Sequence, residues 1–309
     1  TLVYEFTTGN FLNLGEFNVE SVGVLTNYAD NITIGVSSSV TIQLGGKLVN
    51  AIGVELKGVF TVDEFGSLTN YGVIDNFSRF KNSSSYSNAV GSIFYNYTGA
   101  TLTNTKGLTQ SGTLVNSADF ENSVSENGVG ANLINTGLWS NETASTFINK
   151  GKVENFGTIT NSGIIRNIYA ALSSTPTTAL INNYQVFNNL AGGTISNEYT
   201  WFNRSGGGNS STINNSGLFT NAVSGRGMSN ELGSNINNLT GGIFNNNNAL
   251  TNSGIITNDG IFDNQNVIYN ISGSVFNNNQ TLINDGGINN VGTFNIPSSI
   301  SGTGTYTQT

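Results

Sequence analysis

Large apolar residues alternate with polar ones in short stretches of this chain, and asparagine and glycine follow each stretch at fixed distances. The six-residue phrase Asn-x-Gly-x-(Val/Ile)-x occurs three times without interruption between 147 and 167, and similar tandem phrases lie between 250 and 264. An alternation with a period of two is the signature of strands whose alternate side chains face the same side. The pattern therefore predicts very short strands, each with one large apolar side chain facing inward.

A short fixed period of this kind is typical of repeat architectures. Three six-residue faces would form a roughly triangular coil of about 18 residues, and loops inserted at corners would raise the mean to about 20. We therefore predict an all-β fold, a single parallel β-solenoid (β-helix) of roughly fifteen coils. The irregular coil length favours a right-handed solenoid.

The repeated asparagine and apolar positions are predicted to form the framework of the solenoid. Asparagine side chains at equivalent positions of successive coils would bond into ladders, and the apolar side chains would stack in parallel rows. The glycines would supply left-handed backbone at the corners. The residues assigned to this framework are Asn149, Asn155, Asn161, Asn252, Asn258, Asn284, Gly151, Gly157, Gly163, Val153, Ile159, Ile165, Ile256 and Phe262.

The two ends of the chain differ from the repeats between them. We divide the sequence into an N-terminal strand or cap (1–10), the β-solenoid (11–296) and a C-terminal strand or tail (297–309). The ends of a solenoid are open sheet edges that can pair with another chain. The terminal segments are expected either to cap their own ends or to pair with a neighbouring subunit. The residues expected at such an interface are Leu2, Val3, Tyr4, Phe6 and Tyr306.

The composition narrows the classes of function. The chain has 309 residues, with 37% hydrophobic and 9% charged residues, two prolines, and neither cysteine nor histidine. The missing residue types exclude disulfides, thiolate metal sites and the common nucleophile triads. A net charge of −8 gives no electrostatic support for nucleic-acid binding, and no stretch of eighteen apolar residues predicts a membrane span. The start at Thr1 without methionine fits a secreted protein after removal of its signal peptide, or a trimmed chain.

A catalytic or metal site would have to be built from carboxylates. Asp259, Asp263 and Asp285 lie close in sequence, but no lysine or arginine follows Arg226 to complete the site of a polysaccharide-cleaving β-helix enzyme. We therefore predict no enzyme activity, no bound metal and no cofactor.

Several segments interrupt the six-residue rhythm, and we predict corner loops at Lys81–Ser92, Tyr169–Ala179, Phe202–Ser211 and Ala222–Asn235. Asn-x-Ser/Thr sequons are frequent in this chain, and those in loops are the better candidates for N-glycosylation. On this ground the candidate acceptors are Asn82, Asn203 and Asn209.

The tandem phrases at Phe147–Asn167 and Leu250–Asn264 resemble the Asn/Gly/Thr-rich β-solenoid regions of prokaryotic surface proteins, among them the haemagglutinin-like adhesins. The resemblance covers about residues 11–295 and implies an extracellular or cell-surface protein. A self-contained solenoid without a separate head or anchor domain favours the structural subunit of an extracellular filament. Its partner would be itself, in a head-to-tail homopolymer joined by stacking and strand addition.

Two alternatives remain at this point. The first is an adhesin or surface passenger domain that binds glycans or other surfaces through its loops and outward aromatic residues. The candidate aromatic residues are Tyr86, Tyr95, Tyr97, Trp139, Tyr199 and Trp201. The second alternative is a polysaccharide-degrading β-helix enzyme.

Overall fold

The computed structural model describes residues 67–124, 130–168, 179–205, 210–223, 226–296 and 300–309. Before residue 67 it describes the backbone of eight strands and the side chain of Leu48. The chain forms two compact units. Unit 1 comprises Thr1–Lys152 and Ala170–Thr177, and unit 2 comprises Val153–Tyr169 and Thr178–Thr309.

Unit 1 contains the first twenty strands of the described chain, each of four residues. They are β1 (Val3–Phe6), β2 (Asn10–Asn13), β3 (Glu16–Val19), β4 (Val24–Asn27), β5 (Asn31–Ile34), β6 (Ser39–Ile42), β7 (Lys47–Asn50), β8 (Val59–Val62), β9 (Ser67–Asn70), β10 (Val73–Asn76), β11 (Arg79–Asn82), β12 (Ser85–Asn88), β13 (Ile93–Asn96), β14 (Thr101–Asn104), β15 (Gly107–Gln110), β16 (Thr113–Asn116), β17 (Asp119–Asn122), β18 (Asn132–Asn135), β19 (Leu138–Asn141) and β20 (Thr146–Asn149).

In strand β21 (Lys152–Asn155), Lys152 belongs to unit 1 and the other three residues belong to unit 2. The later strands all belong to unit 2. These are β22 (Thr158–Asn161), β23 (Ile164–Asn167), β24 (Leu180–Asn183), β25 (Val186–Asn189), β26 (Thr194–Asn197), β27 (Thr200–Asn203), β28 (Thr212–Asn215), β29 (Leu218–Asn221), β30 (Gly227–Asn230), β31 (Asn235–Asn238), β32 (Ile243–Asn246), β33 (Leu250–Asn252), β34 (Ile255–Asn258), β35 (Ile261–Asn264), β36 (Val267–Asn270), β37 (Val275–Asn278), β38 (Thr281–Asn284), β39 (Gly287–Asn290), β40 (Thr293–Asn295), β41 (Ile300–Ser301) and β42 (Thr305–Gln308).

In each unit the chain visits three parallel sheets in turn, so that every strand pairs with the third strand after it. Sheet A contains β1, β4, β7 and so on to β40, sheet B runs from β2 to β41, and sheet C from β3 to β42. In β10 and β13, for example, Ile74 lies opposite Phe94 and Asn76 opposite Asn96. This confirms the predicted parallel β-solenoid.

From β9 to β39 each four-residue strand buries its second and fourth residues, which explains the two-residue alternation in the sequence. In β16, Leu114 and Asn116 face inward, and their exposed fractions are 1% and 0%. The core of each unit thus contains apolar rows, with large aromatic residues such as Phe219 and Phe244 stacked at 4.8 Å between ring centroids. Between the apolar rows run columns of buried asparagine.

Coil length varies more than the tandem phrases suggest. Consecutive asparagines of one column are separated by 18 residues at the shortest, as from Asn70 to Asn88, and by 30 from Asn167 to Asn197. The predicted coil of 18–20 residues is therefore the basic turn, and corner insertions lengthen it.

The predicted role of the motif glycines is wrong. None of the motif glycines Gly151, Gly157, Gly163, Gly254 and Gly260 adopts a left-handed backbone conformation. A Cβ at Gly254 would lie 2.2 Å from the carbonyl oxygen of Ser234 in the preceding coil, and at Gly260 2.3 Å from that of Gly242. Glycine is needed there because backbones of neighbouring coils approach too closely for a side chain.

Three of the predicted loops overlap regular strands, which corrects the candidate glycosylation sites: Phe202–Ser211 begins with the last two residues of β27, and Ala222–Asn235 includes all of β30. The segment Lys81–Ser92 includes the end of β11 and all of β12. Asn82 and Asn203 are the last residues of strands, are 0% exposed, and belong to the asparagine columns. Their placement in loops is therefore wrong, and their amides are not open to modification in the folded chain. Asn209 lies outside the described residues.

The core also contains three of the six aromatic residues considered for glycan binding. Tyr86, Trp139 and Trp201 are at most 2% exposed and pack against phenylalanines inside the solenoid. Burial raises the pKa of the Tyr86 hydroxyl well above its ordinary value, partly offset by a side-chain hydrogen bond with Asn70. These three residues stabilise the fold, and only Tyr95, Tyr97 and Tyr199 remain partly accessible.

Among the described residues no helix is long and apolar enough to cross a membrane.

Candidate functional site: the uncovered terminal coil

The asparagine columns run to the C-terminal end of unit 2. The hydrogen bonds within these columns determine which groups are left without a partner at that end. Most column asparagines in the described chain donate from Nδ2 to Oδ1 of the asparagine in the next coil, at 2.7 Å from Asn238 to Asn258 and again from Asn258 to Asn278. Donors point the same way along the chain throughout the described columns. An amide bonded to both of its column neighbours, such as Asn258, is thus both donor and acceptor, which removes the cost of burying it.

The same asparagine also closes its own corner. Asn258 Oδ1 accepts the backbone N–H of Gly260 at 3.3 Å, and its Nδ2 donates to the carbonyl of Thr281 in the next coil at 2.9 Å. This local bond turns the backbone out of the strand after four residues. Asparagine therefore both ends the strand and fixes the position of the following coil.

One column contains a glutamine, and the column is interrupted there. Asn88 Nδ2 donates to Gln110 Oε1 at 2.8 Å, but Gln110 Nε2 donates to the backbone oxygen of Leu138 at 3.3 Å. No hydrogen bond reaches the Oδ1 atom of Asn135 in the next coil, although Asn135 keeps other contacts. The extra methylene of glutamine displaces the donor from the column.

The last coil leaves its inward residues partly uncovered. Strands β40–β42 place Phe294, Ile300 and Tyr306 opposite Phe276, Leu282 and Ile288 of the coil before. Those three residues of the penultimate coil are 0% exposed, whereas Ile300 is 38% and Tyr306 46% exposed. The apolar rows therefore end in a layer that nothing covers within the described chain.

The asparagine columns end at the same coil. Ile296 follows Asn295, which pairs with Asn277, so Ile296 takes the place opposite Asn278. Gly302 takes the corresponding place opposite Asn284, and Gln308 pairs with Asn290. Two of the three columns therefore end in residues without a side-chain amide.

The last coil is tied to the one before it by an exposed carboxylate. Asp285 Oδ1 accepts the backbone N–H of Thr303 at 2.8 Å and its hydroxyl at 3.1 Å. These bonds, chiefly that from the Thr303 backbone, lower the pKa of Asp285. The contact holds the corner between β41 and β42 in place.

The other predicted site residues have the following positions. Val3, Tyr4 and Phe6 lie in β1, which pairs with β4 in sheet A, and Leu2 lies outside the described residues. Both terminal segments thus contribute strands to the sheets, because β42 likewise pairs with β39. The framework residues from Asn149 to Asn284 occupy the inward columns, rows and corners described above.

The three aspartates considered for catalysis or calcium lie on the outer surface. Asp259 accepts from Asn279 at 2.8 Å, and Gln265 lies between Asp263 and Asp285, donating at 2.5 and 3.4 Å. Within the described part of the chain, no group of three acidic residues is arranged to hold a metal ion.

A scan against models of protein families, a search of curated proteins and a search of solved structures each found no match to this chain.

Proposed function

We propose that this chain is a structural subunit of an extracellular filament in which successive copies join head to tail through their end coils. The observation that carries the proposal is the uncovered apolar layer of Phe294, Ile300 and Tyr306. An exposed apolar layer with free strand edges is a ready template for another coil.

The first coil of a second copy is the occupant that fits this layer. In β1–β3 the register places Tyr4, Phe11 and Phe17 opposite Leu25, Ile32 and Val40, so these residues occupy the apolar row positions of sheets A, B and C. Since the chain passes through the sheets in the order A, B, C, the strand expected after β42 belongs to sheet A. The β1 strand of the next copy takes that place, over β40.

At the column position of sheet A the two end coils also match. In the first coil Phe6 and Val19 stand opposite Asn27 and Ile42, and in the last coil Ile296 stands at a column position. A junction between these coils would bury the apolar rows and the Phe6–Ile296 position, whereas at the other two column positions Asn13 would face Gly302 and Gln308 would face Val19. Complete burial of one large apolar side chain contributes about 1.5–3 kcal/mol, so three rows and their backbone bonds supply a substantial association energy.

A disulfide cross-link tests the junction and its register together. In the proposed junction Thr307 of one copy lies opposite Asn18 of the next, and parallel neighbours about 4.8 Å apart are within disulfide range. We expect the Asn18→Cys, Thr307→Cys double variant, oxidised after assembly, to give a series of covalent multimers on a non-reducing gel. The chain has no native cysteine to interfere.

A matched pair provides the control. Asn289 is exposed like Thr307 but lies one coil further from the end, opposite Thr307 in the register. The Asn18→Cys, Asn289→Cys variant should therefore remain monomeric on the same gel. Equal multimer formation by both pairs would show non-specific contact, and a lack of multimers with the first pair would refute the junction.

A second candidate function, glycan binding by an adhesin, rests on an aromatic cluster on the outside of unit 1. Phe77 and Tyr97 stack at 4.2 Å between centroids, and Tyr95 lies 5.5 Å from Tyr97. Desolvation raises the pKa of Tyr97, and the Asp75 carboxylate raises it further. The stacked rings cover each other's faces, which leaves less ring surface for a sugar. A glycan array comparing the native chain with a Tyr97→Ala variant tests this candidate.

A further inference from the structure

The outer face of sheet C carries a groove within unit 2. This groove takes no part in the proposed filament junction. Its volume is about 320 Å³. It is bordered by Phe202 of β27, Ser229 of β30 and Thr251 of β33, with Arg226 at its rim. These three strands are adjacent, so the groove belongs to one continuous surface.

The groove exists because β30 presents small residues between larger neighbours. Ser229 lies opposite Phe202 on one side and Thr251 on the other. Gly227, the other outward position of β30, lies opposite Thr200, and a Cβ there would stand 2.4 Å from the carbonyl oxygen of Ala249. The walls stand two strand spacings apart, roughly 9–10 Å between strand axes, which leaves room between the side chains for the thickness of a planar ring.

The phenylalanine wall is held in position. The guanidinium carbon of Arg204 lies 4.0 Å from the centre of the Phe202 ring, and Arg204 Nε lies 3.1 Å from Glu231 Oε1. The Nε–H bond of Arg204 does not point at Glu231 Oε1, so this contact is an ion pair without a hydrogen bond from Nε. Arg204 is thus engaged, and its charge is balanced by Glu231.

Arg226 differs from the other arginines of unit 2. Arg166 pairs with Glu198 at 2.6 Å and Arg204 with Glu231, whereas no acidic residue in the described chain pairs with the exposed Arg226. A guanidinium recognises a carboxylate through two parallel hydrogen bonds. In a chain of net charge −8, an unbalanced cation beside an apolar groove favours an anionic ligand with an apolar body.

We propose that this groove binds a small carboxylate that carries an aromatic ring. The ring lies over Ser229 against Phe202, and the carboxylate pairs with Arg226 at the rim. The groove volume lies at the lower limit for small-molecule sites, about 300–1,000 Å³, which suits a molecule of one or two rings. The site is independent of the filament junction, because its residues lie on β27, β30 and β33 rather than on the end coils.

Calorimetric titration of the full chain with sodium 2-naphthoate tests the proposal. We expect saturable binding at one site, weakened at least about tenfold by Arg226→Gln and abolished by Ser229→Leu, which fills the floor. Arg166→Gln, which also removes one arginine charge from unit 2, should bind like the native chain. Circular dichroism of each variant excludes unfolding as the cause of a loss.

Two further ligands separate the contributions of charge and ring. Neutral 2-naphthamide should bind at least about tenfold more weakly than the carboxylate, and glucuronate, which has the charge without the aromatic ring, should not saturate. The proposal is overturned if the native chain shows no saturable binding of 2-naphthoate at about 10 mM, or if folded Arg226→Gln or Ser229→Leu binds it unchanged. Equal binding of glucuronate would likewise exclude the aromatic wall as part of the site.

Discussion

At the residue scale, the fold depends on the length of the asparagine side chain, which matches the spacing between coils. Asparagine spans from its own strand end to the amide of the next coil while still accepting the N–H of its own corner. At other corners the same local bond forms to a serine, as at Ser84, whose N–H approaches Asn82 Oδ1 at 3.3 Å. The sequence pattern predicted the asparagine ladders, but it missed Asn82 and Asn203 because it required glycine two residues later.

The interrupted column gives a stabilising substitution. Replacing Gln110 with asparagine shortens the side chain by one methylene and places its donor in line with the column. We expect Gln110→Asn to raise the free energy of unfolding by about 0.5–1.5 kcal/mol, the usual net contribution of a hydrogen bond. Urea denaturation measures this, with Gln265→Asn at an exposed corner as the control. A destabilised Gln110→Asn chain would show that the glutamine fills space that asparagine leaves empty.

Two glycines separate steric from conformational effects. Gly241 has φ +83° and open space around its Cβ position, so Gly241→Ala should cost only the left-handed conformation, about 1–2 kcal/mol. Gly254 lacks that conformation, but its Cβ would meet backbone oxygens at 2.2 and 2.6 Å. We expect Gly254→Ala to be the more destabilising in urea denaturation, since the coils would have to separate. The opposite order would mean that the coil spacing adapts easily.

At the element scale, successive strands are joined mainly by column and row residues, and outward ion pairs add a small part that depends on pH. Lys150, just after β20, lies 2.7 Å from Glu121 of β17, and Ser123 also donates to that carboxylate at 2.6 Å. Partial burial raises the pKa of Glu121, but the hydrogen bonds from Lys150 and Ser123 outweigh it, so the net pKa is lowered.

The sign of the pH effect follows from that lowered pKa. A carboxyl group whose pKa is lower in the folded state stabilises the fold above its unfolded value, 4.5, and loses that contribution as pH falls through the folded value. Because both side chains are partly exposed, we expect Glu121→Gln to cost about 0.2–1 kcal/mol at pH 7 and almost nothing near pH 2. Urea denaturation at both pH values measures the difference, and Lys150→Gln should reproduce it. A cost independent of pH would assign the effect to packing.

The short strands and their parallel stacking could be predicted from sequence because two inward positions recur in every strand. The end coils were harder to predict, since the recurring asparagine is missing from most of their column positions. The apolar register nevertheless continues through Phe294, Ile300 and Tyr306 at six-residue intervals. That interval was the available signal for the terminal layer. The sequence held no comparable signal for the role of Arg226, because the groove is formed by residues of three separate strands that only the fold brings together.

At the scale of the whole molecule, stacking in a solenoid has no internal stopping point, so the end coil determines whether growth continues. A head-to-tail contact that does not close forms an open fibre. Tyr306 is the most exposed of the three inward residues in the last coil, at 46%, and a charge there would have to be buried in the proposed junction. The effect of such a charge on assembly can be separated from its effect on folding.

Assembly should couple stability to protein concentration, because binding to the folded state alone raises the unfolding temperature by mass action. We expect the Tm of the native chain to rise with concentration and fibres to appear in electron micrographs. Tyr306→Lys should give a Tm independent of concentration and no fibres. Tyr269→Lys, at a residue 41% exposed on the outer face of β36, should behave like the native chain. If Tyr306→Lys assembles as readily as Tyr269→Lys, the terminal layer is not the junction, and the filament proposal fails at its central observation.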